Sequence, residues 1–156
     1  VDYAALKLVH LLALIVWIGG MAFVLFFLRP AVLALEPPLR LRLMHDVLGR
    51  FFKAVLIAAV ILLASGLWMI GRVAKESVQA GLGFNMPLSW TIMTVLGIVM
   101  IAIFGYIRFV LYKRLTLAVT ASNWAAGGAA MASIRTWVGI NLAIGLVIIA
   151  VTQLLA

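Results

Sequence analysis

"KLVHLLALIVWIGGMAFVLFFL", residues 7–28, runs for twenty-one residues after Lys7 without a charge. Coiled as a helix at about 1.5 Å per residue, such a run covers roughly the 30 Å hydrocarbon thickness of a bilayer. Three more stretches meet the same criterion, so the predicted spans are 4–28, 54–71, 88–107 and 137–156. Composition agrees: 67% of the 156 residues are hydrophobic and 10% charged, against roughly 45–50% and about 25% in soluble domains. The sequence therefore predicts an all-α integral membrane four-helix bundle, with the lipid bilayer as its first partner and a single domain over 1–156.

The first run is expected to be a retained helix rather than a signal peptide. Its apolar part exceeds the roughly 7–15 residues of a signal h-region, and no A-x-A-like cleavage site follows. The chain has no cysteine, which excludes disulfides, thiolate metal sites and cysteine nucleophiles. The formal charge of +8 belongs with basic residues flanking lipid-buried helices, not with nucleic acid. Arg29, Arg40, Arg42, Arg50 and Lys53 precede the second span, and Arg108, Lys113, Arg114 and Arg135 lie between the third and fourth. Nine of the twelve basic residues thus fall on one side, which predicts both termini outside, in the periplasm of a bacterial inner-membrane protein.

The connections are expected to hold short amphipathic surface helices. "EPPLRLRLMHDVLGRFFK" has a proline pair suited to a first helical turn, and its Leu39, Leu43, Met44, Val47 and Phe51 suggest a helix lying along the inner membrane face. "TASNWAAGGAAMASIR" offers a cap at Ser122 or Asn123 and an interfacial Trp124, then a weaker surface helix broken at Gly127 and Gly128. The outer loop "RVAKESVQAGLGFNMP" is glycine-rich and restarts the third helix at Pro87.

Polar groups inside a bilayer are costly and normally face the bundle interior. His10 is the foremost of them. Reading depth along antiparallel helices, Ser65, Trp68 and Met69 of the second span fall at its level, with Arg72 a turn further out. Trp90, Met93 and Thr94 of the third span and Thr152 and Gln153 of the fourth share that level. One imidazole and two thioethers, His10, Met69 and Met93, form a chemically admissible set for soft Cu(I), although methionine is ordinarily a packing residue. Trp17 lies two turns deeper than His10 on the same face, and Gly19 and Gly20 leave room for a neighbouring helix or a flat ligand. His45, beside Asp46, is expected to find a solvated partner rather than a metal. Asn141 is read as structural, joining helices through an amide hydrogen bond. Arg29 and Arg108 close the inner ends of their helices, by snorkelling to phosphates or by reaching inward to Asn141. The four acids, Asp2, Glu36, Asp46 and Glu76, all lie outside the predicted spans. Neither a nucleophile-base pair, a phosphate loop nor an HExxH motif is present, so catalysis is poorly supported.

"KLVHLLALIVWIGGMAFVLFFLRPAV", "ASGLWMIG" and "IRTWVGINLAIGL" together resemble the CopD-like copper resistance membrane proteins. The resemblance implies an inner-membrane protein tied to copper handling, moving a copper ion between periplasm and cytoplasm, and it singles out His10, Trp17, Gly20, Arg29, Trp68, Arg135 and Asn141. The third span departs by lacking histidine. The first helix is also similar to that of four-helix membrane proteins linked to protoporphyrinogen oxidation. That similarity implies haem b as the alternative cofactor, with His10 as axial ligand, Gly19 and Gly20 making room, Trp17 stacking, and Lys7 and Arg72 meeting propionates. A third class is a scaffold subunit, a homo-oligomer formed through small residues at Gly97, Gly105, Gly139 and Gly145. A periplasmic metal or haem carrier is the further partner implied by the first two classes.

Overall fold

Apolar runs this long satisfy their backbone polar groups internally, and in lipid that leaves the helix. The computed structural model describes residues 2–155, and among them every regular element is helical. Four helices are long and apolar enough to cross a membrane: α1 Tyr3–Val32, α2 Pro37–Gln79, α3 Leu88–Thr120 and α4 Trp124–Leu154. α1 packs chiefly on α2, and α3 on α4; α4 also touches α1 and α2. The bundle is thus two hairpins laid together.

The helices are longer than the predicted spans. α2 has 43 residues, about 65 Å at 1.5 Å per residue, twice what the hydrocarbon core requires. The segments expected as separate surface helices are therefore continuous with the spans. Residues 37–53 form the first third of α2, and Gly127 and Gly128 lie inside an unbroken α4. The apolar face in use also differs. Leu39 and Leu43 are exposed, while Leu41, Met44, Leu48 and Phe52 are buried in one core with Leu111 and Leu115 of α3 and Ala130 and Ile134 of α4. Because α3 and α4 project equally far, α2 buries its stripe against them instead of against lipid headgroups. Gly127 permits this approach, since a Cβ there would stand 3.0 Å from Leu41 Cδ1. Arg42 over the Trp124 ring, 5.2 Å from its centroid, ties the two helix starts together.

Helix ends follow local chemistry. α2 ends in a Schellman turn: Gly81 has φ +77°, its N–H donates to Val78 O, and Leu82 N–H donates to Ser77 O. α3 ends the same way, with Ser122 in the left-handed position at φ +52°, Ser122 N–H bonded to Val119 O and Asn123 N–H to Ala118 O. Asn123 also caps α4, accepting from Ala126 N–H at 3.1 Å. One short turn thus closes α3 and opens α4. α1 and α3 each contain a π-helical turn, Val24–Leu28 and Ile107–Leu111. In α1 this widening immediately precedes Pro30, whose ring would otherwise clash with the carbonyl four residues back.

The central core joins Trp17, Ile18 and Met21 of α1, Phe52 and Val55 of α2, Met100, Phe104 and Ile107 of α3, and Val138 and Leu142 of α4. Trp17, Phe104, Phe52 and Tyr112 meet edge to face in sequence, with centroids 5.9, 5.9 and 5.4 Å apart. His45 then stacks on Tyr112 at 4.9 Å and 5°. Gly145 gives close passage to Ile18 and Met100, whereas a Cβ at Gly97, Gly105 or Gly139 would meet nothing within 4 Å.

Candidate functional site

His10 turns toward α2, not toward lipid. Its Nδ1 lies 2.8 Å from Ser65 Oγ, and its ring rests over Gly66, where a Cβ would be 3.4 Å from His10 Cε1. Of the residues that depth places at this level on three helices, Ser65 is the one His10 meets. Ser65 Oγ is also 2.6 Å from the Ile61 carbonyl and 3.3 Å from that of Leu62. Two oxygens that close need the hydroxyl proton between them, so Ser65 donates to Ile61 O and accepts from His10. The proton of the neutral imidazole then sits on Nδ1, and Nε2 carries the lone pair. That is the nitrogen able to bind a metal.

The other predicted site residues are distributed as follows. Met69 is buried one turn outward of Ser65 on the same face of α2, outside the central core, whereas Met93 packs against that core from α3. Lys7 is exposed one turn outward of His10. Arg72 Nε lies 3.6 Å from Glu76 Oε1. With Trp68, Gly71 and Lys75 it lines a shallow, open depression near the C-terminal end of α2. Among the described residues no three His, Cys, Asp or Glu side chains cluster together.

Trp17, 3% exposed, is held edge-on against Phe104 and is part of the core. Of the two uses expected for Gly20, a neighbouring helix takes the room: the Phe51 ring of α2 fills the space a side chain would occupy and leaves no slot there for a flat ligand, while Gly19 faces away from the bundle, with nothing near its Cβ position. Asn141 behaves as expected, donating from Nδ2 to the Met100 carbonyl at 3.1 Å across the α3–α4 interface. Its Oδ1, buried, has no hydrogen-bond partner among the described residues. Arg108 does not reach it: the guanidinium lies over the Phe109 and Tyr112 rings, 5.5 and 5.2 Å from their centroids. Arg29 and Arg135 are half-buried near the basic end.

The polar cluster that sequence reasoning missed lies at that end. His45, expected to be solvated, bonds through Nε2 to Thr116 Oγ1 at 2.8 Å. The signal was available in Tyr112 and Thr116, four residues apart and so on one helix face, but it carries meaning only once α2 and α3 are known to continue past the membrane.

Comparison with known proteins identifies the lineage. A family model for copper resistance protein D matches residues 45–155, which is α2 from His45 onward with all of α3 and α4. The chain belongs to the CopD family. No curated protein and no solved structure gives a significant match. Ser65, Met69, Met93 and Asn141 lie within the CopD match, and His10 precedes it. The CopD assignment accounts for a multi-pass membrane protein related to copper resistance, and the place of His10 rests on its geometry against α2.

Proposed function

We propose that this CopD-family protein handles copper ions at the bacterial inner membrane, receiving Cu(I) as cargo at a site centred on His10 Nε2 between α1 and α2. One observation carries the reading: Ser65 holds the imidazole by Nδ1 and leaves the lone pair on Nε2. Outer-shell hydrogen bonds of this kind orient metal-binding histidines and raise their basicity. The Met69 thioether supplies a soft donor one turn outward, with Met93 as a further donor from α3, and imidazole with thioether suits Cu(I). The acids all lie outside the predicted spans, so the site is uncharged and favours a soft monovalent ion over hard divalent ones. The charge bias of the loops supports both termini in the periplasm, which would put His10 on the periplasmic half.

The depression beside Arg72 and Lys75 favours a second reading, a b-type haem with His10 as axial ligand and its propionates on those cations. The fit is partial. Phe51 occupies the room at Gly20 and Phe104 holds Trp17, so a porphyrin would have to sit outward of both. The test is a Cu(I) titration against a competing chelator, with an absorption spectrum of the detergent-purified protein. Cu(I) binding without a Soret band supports copper handling, and a Soret band lost in His10→Ala transfers the site to haem. Binding of neither ligand overturns both readings.

A further inference from the structure

At the basic end, His45, Asp46, Gly49, Arg50 and Lys53 of α2 and Arg108 and Tyr112 of α3 line a cavity of about 400 Å³. We infer that this cavity is a binding site for a phosphate-bearing anion, taken between Lys53 and Arg108 at the level of the lipid headgroups.

The charge balance is the first argument. Three cations face one carboxylate, and that carboxylate is turned to Arg50 in an exposed pair at 3.4 Å. Among the described residues neither Lys53 nor Arg108 has a carboxylate partner. Depth is the second. Lys53 immediately precedes the apolar run 54–71 and Arg108 immediately follows 88–107, so both stand where hydrocarbon gives way to headgroup phosphates. Flexible lysines and arginines at such positions commonly snorkel, but here the surroundings are built.

The floor of the cavity is fixed on three sides. Tyr112 donates its hydroxyl to the His45 carbonyl at 2.9 Å, and Gly49 makes that possible, since a Cβ there would collide with the hydroxyl. His45 lies flat on the Tyr112 ring. Thr116 donates its hydroxyl to Tyr112 O at 3.0 Å, so it accepts from His45 Nε2–H. Arg108 is laid over the Tyr112 and Phe109 rings. A guanidinium held against two rings still has N–H donors for a bidentate phosphate, and the rings set its position before the ligand arrives.

The same chemistry is offered by the headgroup of an anionic phospholipid and by a soluble phosphate, and the test separates them. Detergent-purified protein is titrated with phosphatidylglycerol, phosphatidylcholine or inorganic phosphate, and binding is read by native mass spectrometry and by thermal unfolding. Preferential retention of phosphatidylglycerol over phosphatidylcholine, without a phosphate effect, supports the cavity as a lipid site; a shift with phosphate alone supports a soluble anion. Lys53→Gln with Arg108→Gln weakens the bound species by about tenfold or more, as expected for losing charge-assisted hydrogen bonds. Lys113→Gln with Arg114→Gln, exposed cations of the same end outside the cavity, changes it less than threefold by the same scale. Should the first pair not fold, Lys53→Gln alone carries the comparison. Equal losses in the two pairs, or no preference for either anion, would overturn the inference.

Discussion

Replacing Asn141 by Leu is predicted to leave the protein as stable as before or more so. Asn141 is 1% exposed, and its one hydrogen bond runs from Nδ2 to Met100 O at 3.1 Å. Interhelical bonds of this kind in membranes average about 0.6 kcal/mol and reach about 1.7. On the other side, Oδ1 is buried with no hydrogen-bond partner among the described residues, and an unmet acceptor costs about 1–3 kcal/mol. Leucine has nearly the shape of asparagine and removes both terms, so the expected change lies between roughly zero and about 2 kcal/mol of stabilisation. Asn141→Ala removes both terms too but leaves a void, and it should lose about 2–5 kcal/mol relative to Asn141→Leu. Thermal unfolding in one detergent, with chemical denaturation as a check, measures both. A loss above about 2 kcal/mol for Asn141→Leu would refute the reasoning, because it would mean both ends of the amide are engaged. A stabilised Asn141→Leu that no longer handles copper would show an amide kept for function at the expense of stability.

The remaining predictions concern sites where the packing discriminates between neighbours. Gly20→Ala should destabilise by about 1–3 kcal/mol because Phe51 must move, whereas Gly19→Ala, with open space around it, should be neutral or gain up to about 1 kcal/mol of helix propensity; paired unfolding curves decide it. Ser122→Gly relieves a left-handed serine and should add about 1 kcal/mol, while Gly81→Ala in the matching turn should lose a similar amount. Phe52→Ala, which removes a ring 2% exposed between Phe104 and Tyr112, should cost about 3–5 kcal/mol. Ser65→Ala should weaken Cu(I) binding about 10–100-fold while retaining the fold, as losses of outer-shell partners do.

How far the sequence reached is clearest from single residues. Residues 8–28 hold no charge, and lipid admits one solution for such a run, so the spans were legible. Antiparallel depth placed Ser65 at the level of His10, together with residues of two other helices, and could not choose among them. The helix ends were not legible in the same way. Arg50 and Lys53 end a hydropathy window but not a helix, because charged residues on the outer faces of α2, α3 and α4 leave Leu41, Met44 and Leu48 free to pack together beyond the membrane. Gly127 looked like a breaker and is instead the contact that lets Leu41 approach. Gly20 offered room to a neighbouring helix or a flat ligand alike, and Phe51 of α2 takes it. In each case the period and the turn signals are present in the sequence, but the partner that decides their use lies on a different helix.

The most direct test of the account is the Cu(I) affinity of His10→Ala against the unaltered protein, measured by competition with a chelator in detergent, with unfolding followed in parallel. The substituted protein is expected to fold, since His10 is half-buried and Ser65 keeps its bond to the Ile61 carbonyl without it, and its Cu(I) binding is expected to fall at least tenfold, about 1.4 kcal/mol or more. Copper binding that is unchanged in a folded His10→Ala would contradict it.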